Sequence, residues 1–126
     1  MYLLDSNIII DYLAGKLPVS SMLRMHEVVN NGFFISIISR IEVLGFNTGN
    51  NEVDAQNEAF IELAETFNLS SVVAWQTIQI RKSHKIKLPD AIIAATAIVH
   101  GFTLLTRNTS DFRKIEGLMA ANPYEW

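Results

Sequence analysis

Four acidic residues, Asp5, Glu42, Asp90 and Asp111, occupy positions from which a folded α/β chain does chemistry. In an open parallel sheet, ligands bind beyond the carboxyl ends of the strands. Asp5 directly follows the apolar segment Tyr2-Leu3-Leu4, and Glu42 lies two helical turns beyond the segment Phe33–Ser36. Asp90 opens a helix, and Asp111 follows the apolar segment Phe102–Thr106. A helix over Asp90–His100 carries the chain about 16 Å from that edge at 1.5 Å per residue. A strand over Phe102–Thr106 returns about 16–17 Å at roughly 3.3 Å per residue, so Asp111 arrives near Asp90. Carboxylates gathered in this way repel: a pair at about 4 Å costs roughly 1 kcal/mol in water and about 4 kcal/mol at an effective dielectric of 20. Such a cluster binds protons or a cation. All-oxygen donors, with no thiolate and no obvious histidine, favour Mg²⁺ or Mn²⁺. An ion of that kind binds a phosphodiester oxygen and lowers the pKa of water, so phosphodiester hydrolysis is the chemistry to expect.

Each acid also has a plainer explanation. Asp5 and Asp90 stand where an aspartate commonly caps a helix, and Asp111, in Asn108-Thr109-Ser110-Asp111, could be an ordinary turn residue. Glu42 is flanked by Ile41, Val43 and Leu44; an acid in an apolar setting is partnered or functional. The four together are not explained by capping.

The elements that must position them read as strands alternating with helices. Tyr2–Leu4 is a strand, and Ser6 is expected to cap a helix over Asn7–Ala14 that Gly15 stops. A second helix starts near Pro18 and runs to Asn30, Phe33–Ser36 is a buried strand, and Ser39–Phe46 is helical. The spacing of Ala55, Ala59, Phe60, Leu63, Ala64 and Phe67 predicts one helix over Glu52–Phe67, with a very short strand at Asn68–Ser70. An amphipathic helix then reaches His84. Pro89 suits the first turn of the next helix, which Gly101 terminates, and its alanine-rich, nearly uniform apolarity places it against the sheet. Phe102–Thr106 and Leu118–Ala121 complete the strands. The pattern predicts an α/β domain whose central sheet of four to five strands is mostly parallel and covered on both faces.

The 126 residues are 49% hydrophobic and 18% charged, which fits a single domain over 1–126 and is too apolar for a disordered chain. The longest apolar run, Ala91–Val99 broken by Thr96, is far short of the roughly 20 residues of a membrane span. The N-terminus has no signal-peptide pattern, and the absence of cysteine excludes disulfides, thiolate zinc sites and a cysteine nucleophile. A soluble, cytoplasmic protein is expected. The net charge of −3 gives no general sign of nucleic-acid binding, but Arg81, Lys82, Lys85 and Lys87 form a basic stripe with His84 just before Asp90. That stripe suits a helix end and equally suits phosphate contact. Arg107 and Arg113, flanking Asp111, are further candidates for contact with substrate or with the C-terminal segment of a protein partner, and Arg40 for an ion pair with a site acid. His26, His84 and His100 have no spacing that pairs them for metal-free acid–base cleavage.

The segments MYLLDSNIIID, ISRIEVLGF, LPDAIIAATAIVHG and LLTRNTSDF resemble, in order, the four signature segments of PIN-domain ribonucleases, and most nearly those of VapC-type toxins of toxin–antitoxin pairs. The resemblance implies a three-layer α/β/α fold and Mg²⁺- or Mn²⁺-dependent endonucleolytic cleavage of RNA, tRNA or another structured RNA among the substrates. It carries the catalytic, metal-binding role over to Asp5, Glu42, Asp90 and Asp111, and a supporting role to Asn7 and Thr106. Asn108 stands where relatives place another acid, so four acids are expected and not five. A VapB-type antitoxin and a homodimer are the implied partners. Two other readings of the residues remain. An aspartyl-nucleophile phosphatase usually needs a second aspartate where Asn7 stands. A phospho-receiver places an acidic pair after its first strand, where Ser6 follows Asp5, and an acceptor after its third, which ends near Ser70 without an acid. A silent PIN-like binding module would be expected to have lost one of the acids, and none is missing.

Overall fold

The computed structural model describes residues 1–126. Its sheet has five strands, each three residues long: β1 (Tyr2–Leu4), β2 (Phe34–Ser36), β3 (Glu65–Phe67), β4 (Thr103–Leu105) and β5 (Met119–Ala121). The strand order is β3-β2-β1-β4-β5 and every pairing is parallel. Successive side chains on a strand face opposite ways, so each central strand feeds two cores. Leu3, Leu104 and the half-buried Phe34 join one core, while Leu4, Leu105 and Ile35 join the other.

Seven helices cover the two faces. Helices α1 (Ser6–Leu13), α2 (Val19–Asn30), α3 (Ile37–Leu44) and α4 (Asn51–Leu63) supply Ile8, Met25, Val43, Phe60 and Ile61 to one core. Helices α5 (Ser71–Ser83) and α6 (Leu88–His100), with the short α7 (Thr109–Phe112), supply Val73, Ile80, Ile93 and Phe112 to the other. The α6 sequence is buried from Ala91 through Ala97, as its apolar circumference requires. Pro89 sits in its first turn, and Gly101 takes the left-handed conformation that ends it, with φ 72°. The architecture is the three-layer α/β/α arrangement expected, with the sheet parallel throughout. No helix is long and apolar enough to cross a membrane.

Chain direction fixes where a ligand can sit. From β1 the chain winds outward to β2 and β3, then returns through α5 and α6 to place β4 on the opposite side of β1. The boundary between β1 and β4 is therefore the point of reversal, where a crevice opens at the carboxyl ends of the strands. Asp5 and Thr106 stand there side by side, and the Asp5 amide donates to the Leu105 carbonyl at 2.9 Å.

Several local expectations are corrected. The helix expected over Glu52–Phe67 stops at Leu63, and the third strand is Glu65–Phe67, not Asn68–Ser70. Parallel pairing of Phe34, Ile35 and Ser36 with Glu65, Thr66 and Phe67 overrides the helical period there. The buried face of α4 accordingly runs through Asn57, Phe60 and Ile61, leaving Leu63 68% exposed. The cap of α1 is Asp5 and not Ser6. Ser36 caps α3 through its hydroxyl, so that helix begins two residues earlier than expected. Asp111 lies in a one-turn helix and not in a plain turn.

Candidate active site at the carboxyl edge of the sheet

Asp5 ends β1 and starts α1, and it is almost wholly buried. One carboxylate oxygen, Oδ1, accepts from the Ser6 amide at 2.8 Å, and Oδ2 accepts from the Thr106 hydroxyl at 2.9 Å. Asp5 thus caps α1 with one oxygen and meets Thr106 at the sheet edge with the other. Relieved of capping, the Ser6 hydroxyl donates to Glu42 Oε1 at 2.7 Å and ties α3 to α1. On the other side, the Asn108 amide N–H donates to the Thr106 hydroxyl at 3.1 Å, and Asn108 Nδ2 donates to Asp111 Oδ2 at 2.8 Å. A continuous hydrogen-bonded line therefore runs Glu42–Ser6–Asp5–Thr106–Asn108–Asp111, linking three of the four acids through three polar residues.

Asp90, in the first turn of α6, joins this group through its field. Burial raises the Asp5 pKa from the ordinary 3.8 to about 6, the Thr106 and Ser6 hydrogen bonds oppose that rise, and the charges of Asp90 and Glu42 add to it. Burial also raises the pKa of Asp90; Glu42 and Asp111 push it further up, and Lys87 pulls it down. At Asp5 and Asp90 the charged form is disfavoured by burial and by neighbouring carboxylates, Glu42 and Asp111 among them, and a cation relieves such a centre. As the side chains stand, no three acidic or histidine groups converge on one point closely enough to ligate an ion directly. The donor set nevertheless fits a hard divalent cation: it is all oxygen, each carboxylate retains acceptor capacity, and Mg²⁺ keeps several of its own waters when bound by one or two carboxylates.

Beside the acids lies a cleft of about 650 Å³. Asp90, Asn108 and Asp111 line one part of it; Arg81, Lys85, Lys87 and Lys114 line the rest, with His84 among them. The basic stripe thus borders the acids as chain order suggested, with two differences. Lys82 does not line the cleft, and Lys114, three residues after Asp111, does. That spacing from Asp111 was visible in the sequence.

Other expected residues go elsewhere. Asn7 is exposed and makes no side-chain hydrogen bond, whereas Ser6 beside it bonds Glu42. Arg40 pairs with Glu62 at 2.8 Å and with no site acid. Arg107 pairs with the buried Asp11 at 2.9 Å, and the Tyr124 hydroxyl donates to the same Asp11 oxygen at 3.0 Å. Arg113 is exposed. Glu42 and its neighbour Ile41 are exposed too, so the apolar setting inferred for this acid is a surface and not a core.

The model of the PIN domain family matches residues 2–118 of the chain. Ribonuclease VapC1 of Rickettsia felis is 31% identical over 131 aligned positions, which cover 92% of this chain and 91% of that protein. A chain in a toxin-antitoxin complex from Klebsiella pneumoniae superposes with a TM-score of 0.78 at 32% identity, covering 98% of both chains. One in the crystal structure of DNA-bound VapBC from Salmonella typhimurium reaches a TM-score of 0.83 at 24% identity over 97% of both chains, a likeness of fold.

Proposed function

The chain belongs to the PIN-domain family, and on that footing we propose that its 126 residues form one PIN-domain unit, a Mg²⁺- or Mn²⁺-dependent endoribonuclease that is the toxin of a type II toxin–antitoxin pair. The observation that carries this reading is the gathering of four acids at the carboxyl edge of the sheet, with Asp5 and Asp90 both pushed upward in pKa by burial and by neighbouring carboxylates, and with Asp90 and Asp111 lining a basic cleft. Asp5, Asp90 and Asp111 would hold the ion, with Glu42 joining directly or through water. Bound there, a hard divalent ion supplies Lewis acidity to the scissile phosphodiester and to the attacking water.

The chain's own residues do the rest. Glu42, exposed at the crevice and held by Ser6, is the acceptor that orients the attacking water. Thr106 and Asn108 hold Asp5 and Asp111 in place from behind. Arg81, Lys85, Lys87 and Lys114, which line the cleft, bind phosphates next to the one being cut, and Lys82 and Arg107, which do not line it, contact RNA further along. The substrate is tRNA or another structured RNA, and the setting is the cytoplasm. A VapB-type antitoxin as partner is supported by the toxin-antitoxin complex that contains the similar Klebsiella chain. A homodimer is supported by Val72, Trp75 and Ile78, which recur every three residues along α5 and are each more than half exposed.

Purified protein with defined RNA tests this reading. Cleavage is expected with Mn²⁺ or Mg²⁺ and is expected to stop with chelator. Asp90→Asn is expected to lower the rate by more than the roughly 10–100-fold typical of losing an outer-sphere partner. Full metal-dependent activity in that variant would remove Asp90 from the site, and chelator-resistant cleavage would remove the metal.

A further inference from the structure

Past His84, the groove between α5 and the segment after α7 continues into a second, shallower hollow of about 240 Å³. His84 borders both this cavity and the basic cleft. On the facing wall Lys114 belongs to the cleft, and Ile115 and Glu116, the next two residues, belong to the cavity. The two spaces are therefore successive parts of one groove with different chemistry. Where the first part is cationic, the second is neutral to acidic. Its floor is Ile80 and Ile115, 3% and 4% exposed, and its rim carries Gln76, Gln79, Ser83 and Glu116. Within α5 the one side chain engaged in a hydrogen bond is Thr77, to the Val73 carbonyl of its own helix. The two glutamine amides and the Ser83 hydroxyl keep their donors and acceptors free.

We propose that this second cavity is a nucleobase subsite: it takes the unpaired base of a nucleotide next to the phosphates held in the basic cleft. The inference rests on the ribonuclease reading and adds to it where specificity would come from. Single-stranded RNA is read through bases splayed out of the stack, held on aromatic or apolar faces and hydrogen-bonded along their edges. His84, half-buried at the mouth, offers the imidazole face on which a base stacks, above the closed apolar floor of Ile80 and Ile115. A glutamine amide matches adenine N6 and N7 in a bidentate pair, and a glutamate accepts from the amino group of cytosine. The rim therefore favours adenine and cytosine, which carry an amino group at that edge, over uracil. A carboxylate-bearing ligand is disfavoured by Glu116.

Two measurements test the subsite. The first follows the side-chain amide resonances of Gln76 and Gln79 by NMR, in chelator, as short single-stranded oligonucleotides are added. With oligoadenylate, shifts are expected at both glutamines and along Arg81–Lys87. With an abasic oligonucleotide of equal charge, only the basic segment is expected to respond. Equal glutamine shifts with the abasic strand, or a responding basic segment with silent glutamines, overturn the subsite and leave the ribonuclease reading standing. Silence of both regions with every strand overturns both. The second measurement compares cut sites in a random RNA pool for the wild type and Gln76→Ala/Gln79→Ala. A flanking-base preference of about tenfold or more is expected in the wild type, flattened in the variant, with total cleavage within a few-fold. An unchanged profile overturns the proposal.

Discussion

At the scale of single residues, Asp5 carries two jobs that pull against each other. Capping α1 and accepting from Thr106 favour its ionised form, while burial and the charges of Asp90 and Glu42 disfavour it, and the balance leaves its pKa near 6. An acid whose pKa is higher folded than unfolded binds the proton more tightly in the native state. In chelator, stability is therefore expected to fall as pH rises from about 4 to about 6, and to stay level above that. The rise from 3.8 to about 6 corresponds to roughly 3 kcal/mol at neutral pH. Asp5→Asn keeps a side-chain oxygen for the Ser6 amide and removes the buried charge. It is expected to be about 1–2 kcal/mol more stable than the wild type at pH 7 and to lose that advantage near pH 4, as urea melts at the two pH values will show. A destabilised Asp5→Asn at pH 7 contradicts the electrostatic picture. The positions of the four acids were legible because Asp5, Glu42 and Asp111 follow strands and Asp90 opens the helix that leads into β4. The role of Ser6 was not, since a serine after a strand reads as a cap, and only the fold reveals that Asp5 has already taken that place. Glu42 was singled out by its apolar neighbours, of which only Val43 is buried while Ile41 and Leu44 face solvent, and the acid is partnered as such a setting demands, by the Ser6 hydroxyl.

Among the elements, the tie from α1 to the far end of the chain matters most. Asp11, buried on α1, accepts from Arg107 and from Tyr124, so one carboxylate oxygen fastens the segment after β4 and the turn Pro123–Glu125 to the helix that Asp5 begins. Arg107 adjoins Thr106, the residue that grips Asp5. Asp11→Ala leaves two donors without their acceptor and is expected to cost about 2 kcal/mol; Tyr124→Phe is expected to cost about 1 kcal/mol. Denaturant midpoints check both. A midpoint for Asp11→Ala equal to that of the wild type would mean that the tie holds nothing. The strand–helix alternation was readable because apolar runs, glycines and Pro89 mark it. The boundary near Leu63 was not, because the period of α4 continues into Phe67. Only pairing with β2, together with Phe67 packing against Phe34 and Phe102, turns that stretch into a strand.

Over the whole molecule, the acids and the cations are segregated along one edge, and each answers to a different titration. Manganese bound to the native state alone raises the melting temperature by mass action; at a hundred times its dissociation constant the gain is about 2.7 kcal/mol. Several degrees are therefore expected for the wild type, and much less for Asp90→Asn. No shift across a millimolar titration would contradict a cation site. The layered architecture and its parallel sheet were expected from the alternation of elements, and the fold adds what chain order hides. The β1/β4 reversal gathers residues a hundred positions apart, and the groove beyond His84 depends on how α5 faces the segment after α7.

Both outer strands of the sheet, β3 and β5, are only three residues long. Strand-by-strand templating needs a longer row of unsatisfied backbone groups than either margin offers. Contact between copies through the exposed Val72, Trp75 and Ile78 of α5 would therefore be made by side chains and would not be extended into fibres by strand pairing.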